Sequence, residues 1–482
     1  MKKKVWRWIF TLIPLAIGTA GFLIAGEKVW NAAFYTVTMY VLNYGEAPAN
    51  WLVEAARWTA PVVTAGWFVF FLTSVWEWGK CRYKYLRYDD SVAVYGPEDE
   101  QEKLLRGLGK KGVCGSDRLV PAHRYIFLND ESESLAFCEK HKEELKGRTL
   151  CIRSSMLPSQ TPVDANIRLY SPEEIAARRF WKTHCIFESA KEHGYPLDIA
   201  VIGFGRLGEE LLYWGLQENV FSANQEIRYH VYGDCGDFLA VHEQIREIRD
   251  PVIHHTDPWR SSAADLRQAS MVIVLEQEDQ LRLLRDLNAL LQGIQVFVFS
   301  AQGGLESFEQ KAFGFTFFNW KEEASVIGNI LEDDTYSQAK DLNRRYASIQ
   351  RGCKDEDLDR EKLWQELPAF SRMSNVSAAD YHEIRKVMAK ALGIDMERLS
   401  KENMEFLAEL EHERWCRFHY LNNWKYGVPE NGTSKDPEKR IHQYLVPYQE
   451  LDDPVKELDR SNIDVLRRLD RDSRQAGEQT RR

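Results

Sequence analysis

Two long apolar runs near the start of the chain limit what it can fold into more than any other feature. Trp8 to Gly26 and Trp58 to Trp76 are each nineteen residues without a charged side chain, close to the ~20 that a helix needs to cross ~30 Å of hydrocarbon. Tryptophans bracket both runs: Trp6, Trp8 and Trp30 the first, Trp51, Trp58, Trp76 and Trp78 the second. Indole rings favour such headgroup-level positions. Lys2, Lys3, Lys4 and Arg7 precede the first run and Lys80, Arg82, Lys84 and Arg87 follow the second, while Lys28 and Arg57 are the only basic residues between. The positive-inside rule then puts both termini in the cytoplasm. The expectation is a two-helix transmembrane unit over residues 1–80, in lipid contact in an inner or plasma membrane, with a large cytoplasmic C-terminal region. A cleaved signal peptide is the alternative for the first run, whose apolar length exceeds the usual ~7 to 15 residues.

Between the runs lies a stretch, within residues 31–50, reading Phe34-Tyr-Thr-Val-Thr-Met-Tyr-Val-Leu-Asn-Tyr-Gly-Glu-Ala-Pro48. It resembles the pore loop of potassium channels: Thr38-Met39 matches the end of the pore helix, and Tyr44, Gly45, Glu46 and Pro48 match the end of the filter. Asn43 stands where the first filter glycine belongs, and Val41-Leu42 replaces Thr-Val. A filter turns consecutive carbonyls inward, which demands φ/ψ values that glycine reaches most easily. The resemblance implies K+ as the transported ion and a homo-tetramer; the departure leaves a non-conducting loop open.

At 482 residues the chain has room for roughly three domains. Its 63 basic and 73 acidic residues give a net charge of -10, which argues against nucleic acid as a partner. Eight cysteines without a C-x-x-C pair argue against zinc ribbons and a disulfide framework. No metal site is expected.

After the membrane segment, apolar strand-like runs alternate with helical patterns, the signature of parallel βαβ units. Leu197-Asp-Ile-Ala-Val-Ile-Gly-Phe-Gly-Arg-Leu-Gly208 ends a buried-strand run in Gly203, Gly205 and Gly208 and leads into a helical stretch. Strand, G-x-G-x-x-G, helix is the context of a dinucleotide-binding turn. Asp234 closes the next strand, placed to take ribose hydroxyls, though farther from the glycines than the usual ~20 residues. Further strands read near residues 251–254, 269–275, 295–300 and 315–318, completing a Rossmann unit over 197–325. A fainter copy covers 88–181, its glycine loop reduced to Gly96-Pro97. The paired units resemble regulator of K+ conductance domains, also called TrkA N-terminal domains. That resemblance implies sensing of nucleotides or ions, with NAD or an adenine nucleotide the cofactor expected here, to move an attached pore or transporter without hydride transfer. No Tyr-x-x-x-Lys occurs within 197–325, so an NAD-dependent enzyme is the weaker alternative.

Residues 332–400 read as a charged helical connector, broken over Trp364 to Asn375, with Ser377 as a helix N-cap. From Phe406 aromatic and histidine residues crowd together: Leu410-Glu-His-Glu-Arg-Trp-Cys-Arg-Phe-His-Tyr-Leu-Asn-Asn-Trp-Lys-Tyr-Gly427, then Lys439-Arg-Ile-His-Gln-Tyr-Leu-Val-Pro-Tyr448. Over residues 403–470 this resembles the ryanodine-receptor (RyR) repeat domain, a mainly helical module. Arg414, Trp415, Trp424, Tyr426, His442 and Tyr448 are its candidate ligand-binding residues, because guanidinium, indole and phenol groups together hold planar or phosphorylated molecules. The alternative is a small core of Trp415, Trp424 and Tyr448 with Arg414 paired to Glu411. Residues 471–482, nearly devoid of apolar side chains, are expected to be disordered.

The fold expected is thus a membrane α-helical segment followed by two doubly wound α/β sheets and a helical RyR-like module. The function expected is a ligand-gated, potassium-channel-like protein sensing a nucleotide-like small molecule; a non-conducting membrane-anchored sensor is the alternative.

Overall fold

The computed structural model describes residues 2–42, 48, 50–156, 159, 161, 163–275, 280–291, 293–300, 314–430 and 432–480, with side chains described between Ile9 and Asp472. It divides into two compact units, residues 1–91 with 118–122, and residues 92–117 with 123–482.

The first unit is a helical hairpin with a short helix in its bend: α1 (Lys2–Ile24), α2 (Val29–Met39) and α3 (Trp51–Arg87). α1 and α3 run antiparallel, and glycines let them touch. A Cβ on Gly18 would lie 2.4 Å from Thr36 Cγ2 and 2.8 Å from Ala56 Cβ, and one on Gly21 would lie 2.8 Å from Val53 Cγ2. Small residues at a helix seam are what packing requires where lipid supplies no hydrophobic drive between helices. Polar bonds add to the seam: Trp67 Nε1 donates to Thr11 Oγ1 at 2.9 Å and Thr64 Oγ1 to the Tyr40 carbonyl at 2.7 Å. Asn50 caps α3 by accepting from Leu52 N at 2.9 Å. The outer faces expose Phe10, Leu12, Trp58, Val62, Phe68 and Phe71. Among the described residues α3 is the one helix long and apolar enough to cross a membrane by length and composition; the apolar stretch Ile9–Ile24 of α1 is shorter. α2 ends at Met39, where the pore-helix resemblance ends too. Asn43, Tyr44, Gly45 and Glu46 lie outside the described residues.

In the second unit the first sheet comprises β1 (Val92–Tyr95), β2 (Gly112–Cys114), β3 (Arg124–Phe127), β4 (Thr149–Arg153) and β5 (Ile167–Tyr170). Its order is β2-β1-β3-β4-β5, with every pair parallel. β2 has three residues, too few to show a pattern in the sequence. Helix α4 (Pro172–Thr183) follows, with Ser171 accepting from Glu174 N at 2.9 Å and proline in the first turn. α4 joins the two halves. Phe180 lies 5.1 Å from Phe297 and 5.0 Å from Phe299, and Trp181 Nε1 donates to the Leu211 carbonyl at 2.9 Å.

The second sheet holds β6 (Leu197–Ile202), β7 (Ile227–Tyr232), β8 (Val252–His254), β9 (Met271–Val274), β10 (Gln295–Ser300) and β11 (Thr316–Asn319). Its order, β11-β10-β9-β6-β7-β8, is the doubly wound Rossmann arrangement. Helix α5 (Gly205–Glu218) follows β6.

The C-terminal part consists of α6 (Asp333–Arg351), α7 (Ala369–Leu392), α8 (Lys401–Leu421), a small sheet of β12 (Lys425–Tyr426), β13 (Lys435–Asp436) and β14 (Ile441–His442), and α9 (Asp453–Thr480). The structure departs from three expectations in this part. α7 is continuous from Ala369, so the break reduces to the turn at Leu367-Pro368. Ser377 is therefore not an N-cap but lies buried in mid-helix, donating to Gln217 Oε1 at 3.0 Å. α9 continues through Thr480, where a disordered tail was expected. Extending an existing helix gains one hydrogen bond per residue without a new nucleus, and Arg, Gln, Ala and Glu extend well.

Buried ion pairs stitch these layers together. Arg417 of α8 reaches Asp250 at 2.6 Å and the Leu216 carbonyl at 3.1 Å, and Arg178 of α4 reaches Asp380 of α7 at 2.7 Å.

Candidate functional site

Two places qualify. The first is the turn between β6 and α5. Gly203 and Gly205 have φ values of +84° and +58°, a region that costs a side chain dearly. Among the described residues a Cβ on Gly205 would meet nothing within 4 Å, so the backbone there borders open space. α5 has no side-chain cap at its N-terminus, leaving N–H groups and the positive end of the helix dipole for an anion. These features fit a pyrophosphate. Gly208 serves another purpose than the sequence implied: its missing Cβ makes room for the Phe204 ring, which would lie 2.6 Å away. Asp234 ends the loop after β7 and accepts from Gly236 N at 3.1 Å.

The second is a cavity of about 190 Å³ between the C-terminal module and the helices before it. α8 supplies His412, Arg414, Trp415 and His419, the small sheet supplies Lys435 and His442, and Phe370 comes from α7. The indole of Trp415 lies 4.1 Å from the His419 ring and 4.9 Å from His442. Phe370 stacks on Trp424 at 4.9 Å and 22°.

Residues 390–469 match the family model of the RyR domain. No curated protein matches the chain. Among solved structures the chain is similar to a dipicolinate synthase chain from Bacillus halodurans, at 14% identity over 51% of this chain and 97% of that one, with a TM-score of 0.23.

Of the six RyR-domain residues singled out from sequence, the fold brings Arg414, Trp415 and His442 to the cavity. The other three lie elsewhere. Trp424 backs the wall through Phe370. Tyr448 is buried and donates to Glu405 Oε2 at 3.0 Å. Tyr426 is 57% exposed on β12. Arg414 is held rather than free: Glu411 accepts from its Nη2 at 2.9 Å and its Nε at 3.2 Å, and Ser377 Oγ accepts from Nη1 at 3.0 Å. Arg385 reaches the same Glu411 at 2.5 Å, so one carboxylate serves two buried guanidiniums. The paired-core reading of Arg414 and Glu411 and the cavity reading thus both describe part of the site.

Histidines set the electrostatics of the RyR-domain cavity. His412 has acceptors on both ring nitrogens, the Val446 carbonyl at 2.9 Å and Asp459 at 3.3 Å. Burial opposes charge on this ring, but the neighbouring Cys416 and Asp459 outweigh it and hold its pKa well above the ordinary value, making it an imidazolium. His442 is the opposite case: burial first, then the positive Lys435 and His412, push it down to about 3. His419 is lowered well below the ordinary value by burial and then by His442.

The residues chosen from sequence as cavity candidates left out His412 and His419, although His412, Trp415 and His419 recur at i, i+3 and i+7 on one helix face. That spacing was legible. Phe370, Asn343 and Tyr346, which reach the cavity from α6 and α7, carry no local signal.

Proposed function

We propose that this chain is a ligand-sensing membrane protein whose RyR domain takes a small planar ligand and whose glycine loop takes NAD or an adenine nucleotide. The observation that carries the reading is the cavity, where aromatic walls, two neutral imidazoles and the charges of Lys435, Arg414 and His412 converge. Concave, largely apolar pockets with a few converging polar groups are the usual form of small-molecule sites. The open backbone at Gly205 supports the nucleotide part.

The finer reading is a potassium-channel-like unit gated by these ligands, with α1 and α3 spanning a plasma membrane and four copies around a pore. It is supported by α2 ending at Met39 between two apolar helices, ahead of the filter-like sequence. Asn43 in place of glycine favours the second reading, a membrane anchor that signals without conducting. Recording from the purified chain in planar bilayers, with NAD, NADH, ATP and ADP added in turn to the C-terminal side, decides between them. Nucleotide-dependent current supports the channel. Silence in every condition, with nucleotide binding retained in calorimetry, supports the anchor, and absence of both current and binding refutes the nucleotide-sensing reading.

A further inference from the structure

We infer that His442 and His419 act as a fixed donor–acceptor pair that selects, in the RyR-domain cavity, a flat uncharged group with an acceptor beside a donor on one edge, such as a carboxamide or lactam. The inference rests on the cavity being the ligand site and goes beyond it in naming what the site reads.

The pair follows from what each ring already does. Nδ1 of His442 accepts the backbone N–H of Tyr444 at 3.1 Å. A nitrogen that accepts carries no proton, so the single ring proton sits on Nε2, which is a donor. Nδ1 of His419 faces the Trp415 carbonyl at 2.9 Å. A carbonyl can only accept, so that nitrogen holds the proton, and Nε2 of a neutral His419 is a lone pair. Burial keeps both rings neutral: they are 7% and 4% exposed, and Lys435 and the His412 imidazolium lie close by. Both line the cavity, and neither Nε2 has a protein partner among the described residues. The ring centroids are 5.7 Å apart, and the Trp415 indole touches both, so one flat group lying against Trp415 can meet the two together.

The chemistry that fits is narrow. A carboxamide offers its carbonyl to the His442 N–H and its own N–H to the His419 lone pair. A carboxylate satisfies His442 but sets oxygen lone pairs against His419, and leaving that buried acceptor unpaired is costly. At about 190 Å³ the cavity is below the ~300–1,000 Å³ of drug-sized pockets, so the part read is one or two rings. Lys435 and the His412 imidazolium pull the other way, toward an anion, which makes charge against hydrogen-bond pattern a sharp comparison.

The probes are benzamide and benzoate, titrated into the full chain in detergent and followed by calorimetry and saturation-transfer NMR. Benzamide should bind at least tenfold more tightly than benzoate. His442→Phe and His419→Phe should each weaken benzamide about tenfold, as loss of one buried hydrogen bond predicts. His442→Gln, whose side-chain N–H can stand in for Nε2–H, should restore most of it, which separates loss of the donor from misfolding. Trp415→Ala reports on the cavity itself. Benzoate binding as well as benzamide, or histidine variants binding like wild type while Trp415→Ala does not bind, would overturn the pair and leave the cavity standing. No binding of either probe, or binding untouched by Trp415→Ala, would overturn the cavity reading and the pair with it.

Discussion

Glu411→Gln is the substitution whose cost follows most directly from the structure. Glu411 is fully buried, and Arg385 and Arg414, 0% and 1% exposed, share it. Arg385 depends on it most, because among the described residues its Nε and Nη1 have no hydrogen-bond partner, and the Tyr381 ring lies 4.9 Å away. Glutamine keeps the shape but replaces one accepting oxygen with an NH2 that faces a guanidinium. Removing one partner from a buried ion pair costs about 3–5 kcal/mol, because an uncompensated charge remains in low dielectric. For a unit of this size, where 1 kcal/mol shifts Tm by about 2 °C, the midpoint should fall by about 6–10 °C. Near-UV circular dichroism of the full chain in detergent measures the shift, and hydrogen exchange along α8 should show the loss centred there. Replacing Arg385, Glu411 and Arg414 together by methionine should recover most of the stability, since apolar residues of similar volume often match a buried triad. A Glu411→Gln midpoint within about 2 °C of wild type would refute the claim that this carboxylate compensates both arginines.

Three further outcomes are expected. Gly205→Val should abolish nucleotide binding in calorimetry without a change in fold, because a β-branched residue cannot readily hold φ +58° and its side chain would enter the open space beside the loop. Glu174 is pushed up to about 8 by burial, against an ordinary carboxylate value of 4.5, with Arg178 pulling the other way. The folded state therefore keeps a proton that the unfolded state releases, so its contribution to stability is complete below pH ~4.5 and is lost as pH rises toward 8. Glu174→Gln should flatten that decline in denaturant midpoints measured from pH 5 to 8. Gly18→Leu should split the helical hairpin, because its Cβ alone would lie 2.4 Å from Thr36. Cysteines placed at Thr11 and Trp67, whose native side chains meet across the seam, should be joined by a short bis-maleimide in the parent and not in the variant.

Features that depend on a local period or a local backbone demand could be read from the chain alone. The apolar runs at Trp8–Gly26 and Trp58–Trp76 announced the helices of the hairpin, and the parallel strands announced themselves as short buried runs in βαβ order; β2, with three residues, did not. Gly203 and Gly205 were legible because positive φ leaves glycine as the cheap choice. The aromatic and histidine density after Phe406 marked the RyR domain. Which of those residues face one another was set by packing between distant segments. Trp415, Trp424 and Tyr448 look alike in sequence, yet Trp415 lines the cavity, Trp424 stacks behind it on Phe370 of α7 and Tyr448 turns to Glu405 of α8. Ser377 looked like a cap because serine suits that position locally; burial against Gln217 and Arg414 overrode the preference. The roles of His419 and His442 depend on which carbonyl or N–H each ring meets. Those partners are a backbone carbonyl four residues back and an amide two residues on, but the neutrality that makes them useful comes from burial among Lys435, His412 and the covering helices, and burial is a property of the assembled fold rather than of any segment.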